Sequence, residues 1–230
     1  MTILIVVAMQ SEYDLMSHIM TNVTTDSHRG VRCCIGTITG NRVILMQSGI
    51  GKVNAAVRVA DVIRNEQPDY VVNSGVAGGI GDGLRPGDIV VGAQTCYHDV
   101  WCGEGEWGQV QGLPLYFDAN PKLLNIAETN IPTARLGLIC TGDQFISDID
   151  QLNAIRSRFP NGQAVDMESA AIAQVCHLYS VPFISLRVVS DTPGMVHDNT
   201  SQYFDFMTDA PRATFDAVRR LVEAIKYDGE

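Results

Sequence analysis

The chain has 230 residues, of which 46% are apolar and 18% charged, a composition that predicts one well-buried globular domain over residues 1–230. Its formal net charge of −10 argues against nucleic acid and anionic membrane surfaces as partners, because both are bound through basic patches. None of the six cysteines forms a Cys-x-x-Cys pair, so we expect reduced thiols, a cytoplasmic location and no zinc or redox site.

Apolar strand patterns alternate with amphipathic helical patterns along the chain, which predicts an α/β fold. The first apolar run, 2–8, is too short to span a membrane, and we interpret it as a buried strand. Strands are predicted at 2–8, 32–38, 42–48, 69–74, 88–95, 135–141 and 182–190, and helices at 10–21, 52–66, 121–129, 149–157, 167–179 and 201–226. Two of these strands flank Thr39-Gly40-Asn41, a hairpin signal, so the sheet should be mixed.

Two glycine-rich turns directly follow buried strands. Gly49-Ile50-Gly51-Lys52 opens the second helix, whose N-terminus favours a polar or anionic group. The segment 73–79 has small residues that leave room for a flat base or a ribose. Neither turn has the Walker spacing or a full dinucleotide fingerprint, and a sharp strand-to-helix turn is the alternative for each. The aperiodic segment 99–117, rich in Gly, Trp and Glu, predicts an ordered loop at a site or an interface.

Acidic residues at the ends of buried elements are the clearest sign of a site, because their desolvation is costly unless something binds there. Glu12 follows the first strand, and Asp191 follows a strand that contains Arg187, which needs a carboxylate partner. Asp166 and Glu168 are two residues apart, so we expect one to bind a ligand and the other to act as a helix N-terminal charge. The alternatives are helix capping for that pair and an Asx-turn for Asp191.

Three histidines, His98, His177 and His197, lie near these segments, and we interpret them as structural or exposed. Neither His-x-x-x-His nor Gly-x-Ser-x-Gly occurs, which argues against a metalloprotease or a serine hydrolase.

Seven blocks occur in order along the chain: Ala8-Met9-x-x-Glu12, Ser48-Gly49-Ile50-Gly51-Lys52-Val53, Asn73-x-Gly75-x-Ala77-Gly78-Gly79, Tyr97-His98-Asp99, Thr141-Gly142-Asp143-x-Phe145-Ile146, Met167-Glu168 and Ser190-Asp191. Together they resemble the 5′-methylthioadenosine/S-adenosylhomocysteine nucleosidases of the nucleoside phosphorylase superfamily. The resemblance implies a three-layer α/β/α fold with a central mixed sheet, hydrolysis of the N-glycosidic bond of a small-molecule nucleoside, a homodimer, and neither cofactor nor metal.

The resemblance also implies roles for individual residues. Asp191 would protonate N7 of the purine with support from Ser190, and Glu12 would position and deprotonate the attacking water, with Arg187 close by. The implied substrate-binding residues are Ala8, Met9, Ala77, Gly78, Phe145, Ile146, Met167, Glu168, Ser190, Tyr203 and Pro114.

The chemistry of the reaction agrees with this set of side chains. A purine leaves poorly as an anion, so its general acid must keep a proton near pH 7, which a buried carboxyl does. The ribosyl centre becomes positively charged, and nearby carboxylates stabilise it while a second carboxylate activates water. In this scheme Glu168 accepts hydrogen bonds from the ribose hydroxyls and the Phe145 ring stacks on the base.

A homodimer would explain the apolar side chains of the aperiodic loop. We expect residues 100–116 of a partner chain to close the 5′ pocket, because a lone domain has little reason to expose that aromatic surface. Met9 and Tyr203 would complete an apolar slot that prefers methylthioadenosine to adenosine. The alternative is that Trp101 and Trp107 pack under their own loop.

The chain departs from the family pattern in three places, and three rival functions are compatible with parts of its sequence. Val76 stands where the family commonly has a hydroxyl residue, and the segments 99–107 and 192–202 also differ from it. A phosphorolytic purine nucleoside phosphorylase is the nearest rival, but related phosphorylases have an arginine where this chain has Asn73. A hydrolase of another 5′-substituted nucleoside such as futalosine, or a silent nucleoside-binding protein, are the others. A binding protein has no need of a proton donor such as Asp191.

Overall fold

A computed structural model describes residues 1–28, 31–194, 198–209 and 213–226, within which ten strands form one mixed sheet. The strands are β1 Thr2–Val7, β2 Thr21–His28, β3 Val31–Ile38, β4 Asn41–Gln47, β5 Tyr70–Gly79, β6 Ile89–Tyr97, β7 Phe117–Asp118, β8 Arg135–Thr141, β9 Gly162–Asp166 and β10 Phe183–Asp191. The helices are α1 Gln10–Ser17, α2 Lys52–Glu66, α3 Pro121–Asn130, α4 Ile149–Arg158, α5 Ser169–Tyr179, α6 Asn199–Asp209 and α7 Ala213–Ala224.

Part of the sheet closes on itself. The strand order is β10-β6-β8-β9-β5-β1-β4-β3-β2, with β7 on β6, and β5 also pairs with β10. The strands β5, β9, β8, β6 and β10 therefore form a ring, and each contributes one apolar residue to a shared cluster: Ala77, Ala164, Ile139, Val90 and Val189. As a result β10 is hydrogen-bonded along both sides, in parallel to β5 and antiparallel to β6.

Helices cover both faces of the open part of the sheet. The side chains of β1 alternate, so that Ile3 and Ile5 pack with α1, α3 and α7, while Leu4 and Val6 pack with α2 and α5. Burial of both strand faces explains why this strand reads as a continuous apolar run. The three-layer arrangement with a mixed sheet confirms the fold expected from the sequence.

The hairpin prediction is confirmed with one adjustment. Thr39 and Gly40 make the turn with φ of 47° and 82°, the positive values that a two-residue hairpin turn requires, and Asn41 already pairs with Ile38 as the first residue of β4. Three strands, β2, β7 and β9, were not predicted. The single helix expected at 201–226 is described as α6 and α7, with residues 210–212 outside the described part.

The loop predicted at 99–117 is found over 99–116, which contains neither helix nor strand, while Phe117 begins β7; its place at a site or an interface stays a prediction. All six cysteines are free, and only Cys102 is exposed. No helix in the described ranges combines the length and the apolar character needed to cross a membrane.

Candidate active site

A cavity of about 270 Å³ lies where β1, β5, β9 and β10 end. Its lining is Ala8, Met9, Glu12, Ile50, Val76, Ala77, Gly78, Gln144, Phe145, Ile146, Val165, Asp166, Met167, Glu168, Arg187, Ser190, Asp191, Pro193 and Tyr203. Every residue that the sequence predicted for the site lines this cavity except Pro114, which is exposed on the loop 99–116.

Glu12 is buried at the start of α1 and its carboxylate accepts three backbone hydrogen bonds. Oε2 accepts from the amides of Ala8 and Met9, each at 2.9 Å, and Oε1 accepts from the amide of Val76 at 3.2 Å. Glu12 is the third residue of the helix, and its side chain reaches back to the backbone amide of Met9, the residue before the helix, as in a capping box. Burial raises the pKa of Glu12, although these amides and the Arg187 charge oppose the rise. The carboxylate is thereby fixed at the junction of β1 and β5.

Arg187 is 1% exposed and makes the buried ion pair that the sequence led us to expect. Its Nη2 lies 2.5 Å from Asp166 Oδ2, 2.5 Å from Asn73 Oδ1 and 3.7 Å from Glu168 Oε2. Carboxylates on both sides offset the cost of burying the guanidinium. A side chain at Gly75 would overlap both Arg187 and the Glu12 carboxylate, which explains the need for glycine there.

Asp166 and Glu168 both line the cavity but have different hydrogen-bond partners. Asp166 ends β9, and its Oδ2 accepts from the Ser169 amide at 3.1 Å, so it caps α5 while pairing with Arg187. Glu168 accepts from the Gly51 amide at 2.9 Å and lines the cavity. Burial raises the pKa of Glu168 to about 7, with the Arg187 charge opposing the rise and the Asp166 charge adding to it.

Asp191 is the buried last residue of β10, and each of its carboxylate oxygens accepts a hydrogen bond. The Ser190 hydroxyl donates to Oδ1 at 2.7 Å, and the Asn199 amide donates to Oδ2 at 2.7 Å. Burial raises the pKa of Asp191, and both donors oppose that rise because they stabilise the charged form. The same Asn199 amide donates to the carbonyl of Ile146 at 3.0 Å. These partners differ from the Asx-turn considered for Asp191.

The mouth of the cavity is apolar. The rings of Phe145 and Tyr203 meet edge to face with centroids 5.5 Å apart, and the Tyr203 hydroxyl donates to Met9 Sδ at 3.3 Å. Phe145 and Ile50 are 45% and 51% exposed. Apolar side chains are therefore exposed at the mouth of the cavity.

The N-terminus of α2 binds carboxylates that belong to the chain itself. Gly49 and Gly51 have φ of 79° and 94°, conformations that favour glycine, and the Gly51 amide donates to Glu168. The Lys52 amide donates to Asp143 Oδ1 at 2.8 Å. The anionic group expected at this helix end is therefore supplied by the protein.

Several residues of the site were not predicted from the sequence. Ile50, Gln144, Val165 and Pro193 adjoin predicted residues, so their proximity to those positions was an available signal. Asn199 carries no such signal, because its contact with Asp191 depends on how α6 packs against β10.

Asn73 is buried beneath the cavity and serves the polar network there. Its amide nitrogen donates to the Val6 carbonyl at 3.1 Å, and its oxygen accepts from Arg187 and from the hydroxyls of Ser169 and Ser185. This residue therefore holds Arg187 in place through its side-chain oxygen.

The histidines do not line the cavity within the described residues. His98 is buried, and burial lowers its pKa. His177 is exposed with its ring against Phe117, and His197 lies outside the described residues. The interpretation of His98 and His177 as structural or exposed agrees with these positions.

The two tryptophans of the loop stack on each other, with centroids 5.6 Å apart and planes at 11°. Trp107 donates to the His98 carbonyl at 2.7 Å, and its ring lies 3.5 Å from the Arg158 guanidinium. Trp101, the outer ring, is 52% exposed. Part of this aromatic surface thus packs within its own chain and part remains open.

Comparison with known proteins finds one family and many close relatives. A family model described as the Phosphorylase superfamily matches residues 2–226. The chain is 38% identical to a 5′-methylthioadenosine/S-adenosylhomocysteine nucleosidase of Bacillus pumilus (strain SAFR-032), over 97% of this chain and 99% of the relative. It is 36% identical to the enzyme of the same name in Bacillus cereus (strain G9842), over 98% and 100%.

Solved structures give the same result. A Streptococcus pyogenes S-adenosylhomocysteine nucleosidase in complex with 5-methylthiotubericidin superposes with a TM-score of 0.93 and 32% identity, covering 99% of this chain and 98% of that one. A Neisseria meningitidis 5′-methylthioadenosine/S-adenosylhomocysteine nucleosidase in complex with methylthio-immucillin-A superposes with a TM-score of 0.91 and 37% identity, covering 97% and 99%.

Proposed function

The chain belongs to the phosphorylase superfamily and, within it, to the 5′-methylthioadenosine/S-adenosylhomocysteine nucleosidases, and from that membership we propose how its cavity works. The enzyme hydrolyses the N-glycosidic bond of 5′-methylthioadenosine and S-adenosylhomocysteine, releasing adenine and the 5′-thio-substituted ribose. The observation that carries the mechanism is the convergence of three buried carboxylates, Glu12, Glu168 and Asp191, on one cavity.

Asp191 is the general acid in this proposal. Its burial favours the protonated form, so the carboxyl donates its proton to N7 of the purine as the glycosidic bond breaks. The backbone of Ile146 and the ring of Phe145 hold the base beside it, because both line the same cavity. Ser190 keeps the carboxyl oriented through its hydroxyl.

The other two carboxylates act at the ribose. Glu168 accepts from the ribose hydroxyls, with Met167 and the backbone of Ala77 and Gly78 lining that part of the cavity. Glu12 binds the attacking water and takes its proton, and its negative charge stabilises the positive ribosyl centre. Three backbone amides hold the Glu12 carboxylate in place. Its orientation therefore does not depend on a hydroxyl at position 76, where this chain has valine.

The cavity favours water over phosphate as the nucleophile, because the groups that could bind phosphate already bind carboxylates or amides of the protein. Among the described lining residues Arg187 is the one cation, and its guanidinium contacts Asp166, Asn73 and Glu168. The α2 N-terminus, which would suit an anion, already binds Glu168 and the Asp143 carboxylate. A cationic phosphate site of the phosphorylase kind would therefore require rearrangement of buried ion pairs.

The test of this function is product analysis in phosphate-free buffer. We expect release of adenine together with a free 5′-thio-substituted ribose at a rate that added phosphate leaves unchanged. Strict dependence on phosphate, with a sugar 1-phosphate as product, would contradict the proposal. If the enzyme released hypoxanthine from futalosine at a higher kcat/KM than adenine from methylthioadenosine, futalosine would be assigned as the substrate instead.

A homodimer forms part of the proposal. Val53 and Val57 are 73% and 63% exposed one turn apart on α2, and Leu178 is exposed on α5, the helix that packs against α2. This surface, continued by Ile50 at the cavity mouth, would be covered by a second copy whose loop 100–116, with Pro114, closes the 5′ pocket.

The dimer is tested by light scattering of Val57→Glu beside Val23→Glu, a control with an exposed valine on the edge strand β2. We expect the first to dissociate the dimer and to raise KM for methylthioadenosine, and the second to do neither. A wild-type monomer with full activity would contradict this part of the proposal. We also propose a cytoplasmic location, which the free state of all six cysteines supports.

A further inference from the structure

Asn199 occupies a position that the mechanism above does not use. It is the first residue of α6, it is buried, and it lies behind Asp191 rather than among the described residues that line the cavity. Its single amide nitrogen donates to Asp191 Oδ2 at 2.7 Å and to the Ile146 carbonyl at 3.0 Å. One planar side chain thus joins the proposed acid to the backbone beside the base.

We propose that Asn199 is the positioning residue that sets both the orientation and the protonation of the Asp191 carboxyl relative to the purine. The proposal rests on the proposed function of Asp191 as the acid. It assigns a role in the reaction to α6, which otherwise contributes the ring of Tyr203 to the cavity.

The geometry explains why a single amide has this effect. Ser190 holds one carboxylate oxygen of Asp191 from the same strand, and Asn199 holds the other from a different element. Rotation of the carboxyl about its Cβ–Cγ bond would break both bonds, so the lone pair that carries the proton keeps one direction. Since the second hydrogen of the amide goes to Ile146, the acid is fixed against the segment that binds the base.

Asn199 also opposes the rise in the pKa of Asp191, because its amide stabilises the charged carboxylate. The titratable or charged side chains that line the cavity with Asp191 come from several elements: Glu12 from α1, Asp166 from β9, Glu168 from the start of α5, Arg187 from β10 and Tyr203 from α6. Within the described residues, the hydrogen bonds to the Asp191 carboxylate come from Ser190 and Asn199 instead. Both donors stabilise the carboxylate, and loss of either raises the pKa of the acid.

The experiment compares the pH dependence of kcat/KM for adenine release by wild type, Asn199→Ala and the isosteric Asn199→Asp. Activity requires protonated Asp191 and falls as pH rises through its pKa, so we expect the alkaline limb of both variants to move up by about one pH unit. We expect kcat at the optimum to fall about 10- to 100-fold, because the carboxyl loses its fixed direction.

Asn41→Ala is the matched control. Asn41 is also a buried asparagine whose amide donates twice, to the carbonyls of Val222 at 3.2 Å and Ile225 at 3.0 Å, and it is not among the residues that line the cavity. It should lower the melting temperature without moving the pH profile or kcat.

A structural role alone would give a different result. The proposal would be overturned if Asn199→Ala or Asn199→Asp kept the wild-type alkaline limb and kcat and only lowered the melting temperature, as Asn41→Ala should. If Asn199→Ala does not fold, Asn199→Asp decides, because it keeps the shape of the side chain. Failure of the wild-type protein to release adenine would instead refute the proposed function itself.

Discussion

Replacing Asp191 by asparagine removes the proton of the proposed acid and little else. The introduced amide can keep its oxygen toward the Asn199 donor and turn its nitrogen toward Ser190. The Ser190 hydroxyl can accept from that nitrogen because it has a second acceptor, the Ala77 carbonyl at 3.3 Å. Every buried polar group therefore retains a partner, and the fold should be preserved.

The expected loss of activity follows from the size of general acid catalysis. Removal of a positioned acid costs about two to four orders of magnitude in kcat, or about 3 to 5 kcal/mol of transition-state stabilisation. Unlike activity, the stability of Asp191→Asn relative to wild type should increase as pH rises. Because burial raises the pKa of Asp191, its contribution to stability is present at low pH and lost as pH rises through the pKa of the folded state. Asp191→Asn should therefore gain in melting temperature relative to wild type as the pH is raised above the ordinary pKa of an aspartic acid, about 4.

The assay is adenine release measured by chromatography, with Asp198→Asn as the control for charge. Asp198 is exposed seven residues further along, and its Oδ1 accepts from the Ser201 amide, a role that asparagine also fills. Asp198→Asn should be fully active. The reasoning about Asp191 would be refuted if Asp191→Asn kept more than about a tenth of the wild-type rate.

The remaining predictions concern Glu12 as the general base, Gly75 between the buried charges, and Glu168 at the ribose. Glu12→Gln should lower kcat about 100- to 10,000-fold, since an amide cannot take a proton from water; an increase in KM alone would make Glu12 a binding residue. Gly75→Ala should lower the melting temperature and kcat together because its Cβ overlaps Arg187 and the Glu12 carboxylate, and unchanged thermal unfolding would contradict that packing. In the proposed mechanism Glu168 accepts from the ribose hydroxyls as a carboxylate, and its pKa is raised to about 7, so kcat/KM should fall as pH drops below that value. Glu168→Gln should flatten this acid limb, and a persisting limb would assign it to another group.

The sequence predicts most of the cavity because strand ends bring small groups of neighbouring residues to it. Glu12 lies in the first turn of α1, the helix that follows β1, and Ser190 with Asp191 ends β10, so buried runs that stop in polar residues point to the site. A helix N-terminal role for one of Asp166 and Glu168 was also foreseeable from their position at a helix start. Their partners were not, because Arg187 and Gly51 reach them from other elements.

Some strands could not be predicted because their sequences lack the usual pattern. Thr21–His28 is a polar strand at the sheet edge, and its side chains from Thr21 to Thr25 are exposed, so its sequence has no apolar alternation to reveal it. Gly162–Asp166 is short and pairs with only two residues of β5. Its place depends on closure of the ring, which is a long-range property.

The closed ring of strands has a consequence for how activity is gained. Its neighbours β5 and β10 come from distant parts of the chain, and Arg187 and Asp191 lie on β10 while Val76–Gly78 lie on β5. Contacts of such high sequence separation carry a large loop-closure entropy and form late in folding. Enzymatic activity should therefore return only in the last kinetic phase of refolding, after helix signals have recovered. A cut within the loop 99–116, which interrupts no strand of the ring, should leave that assembly able to form.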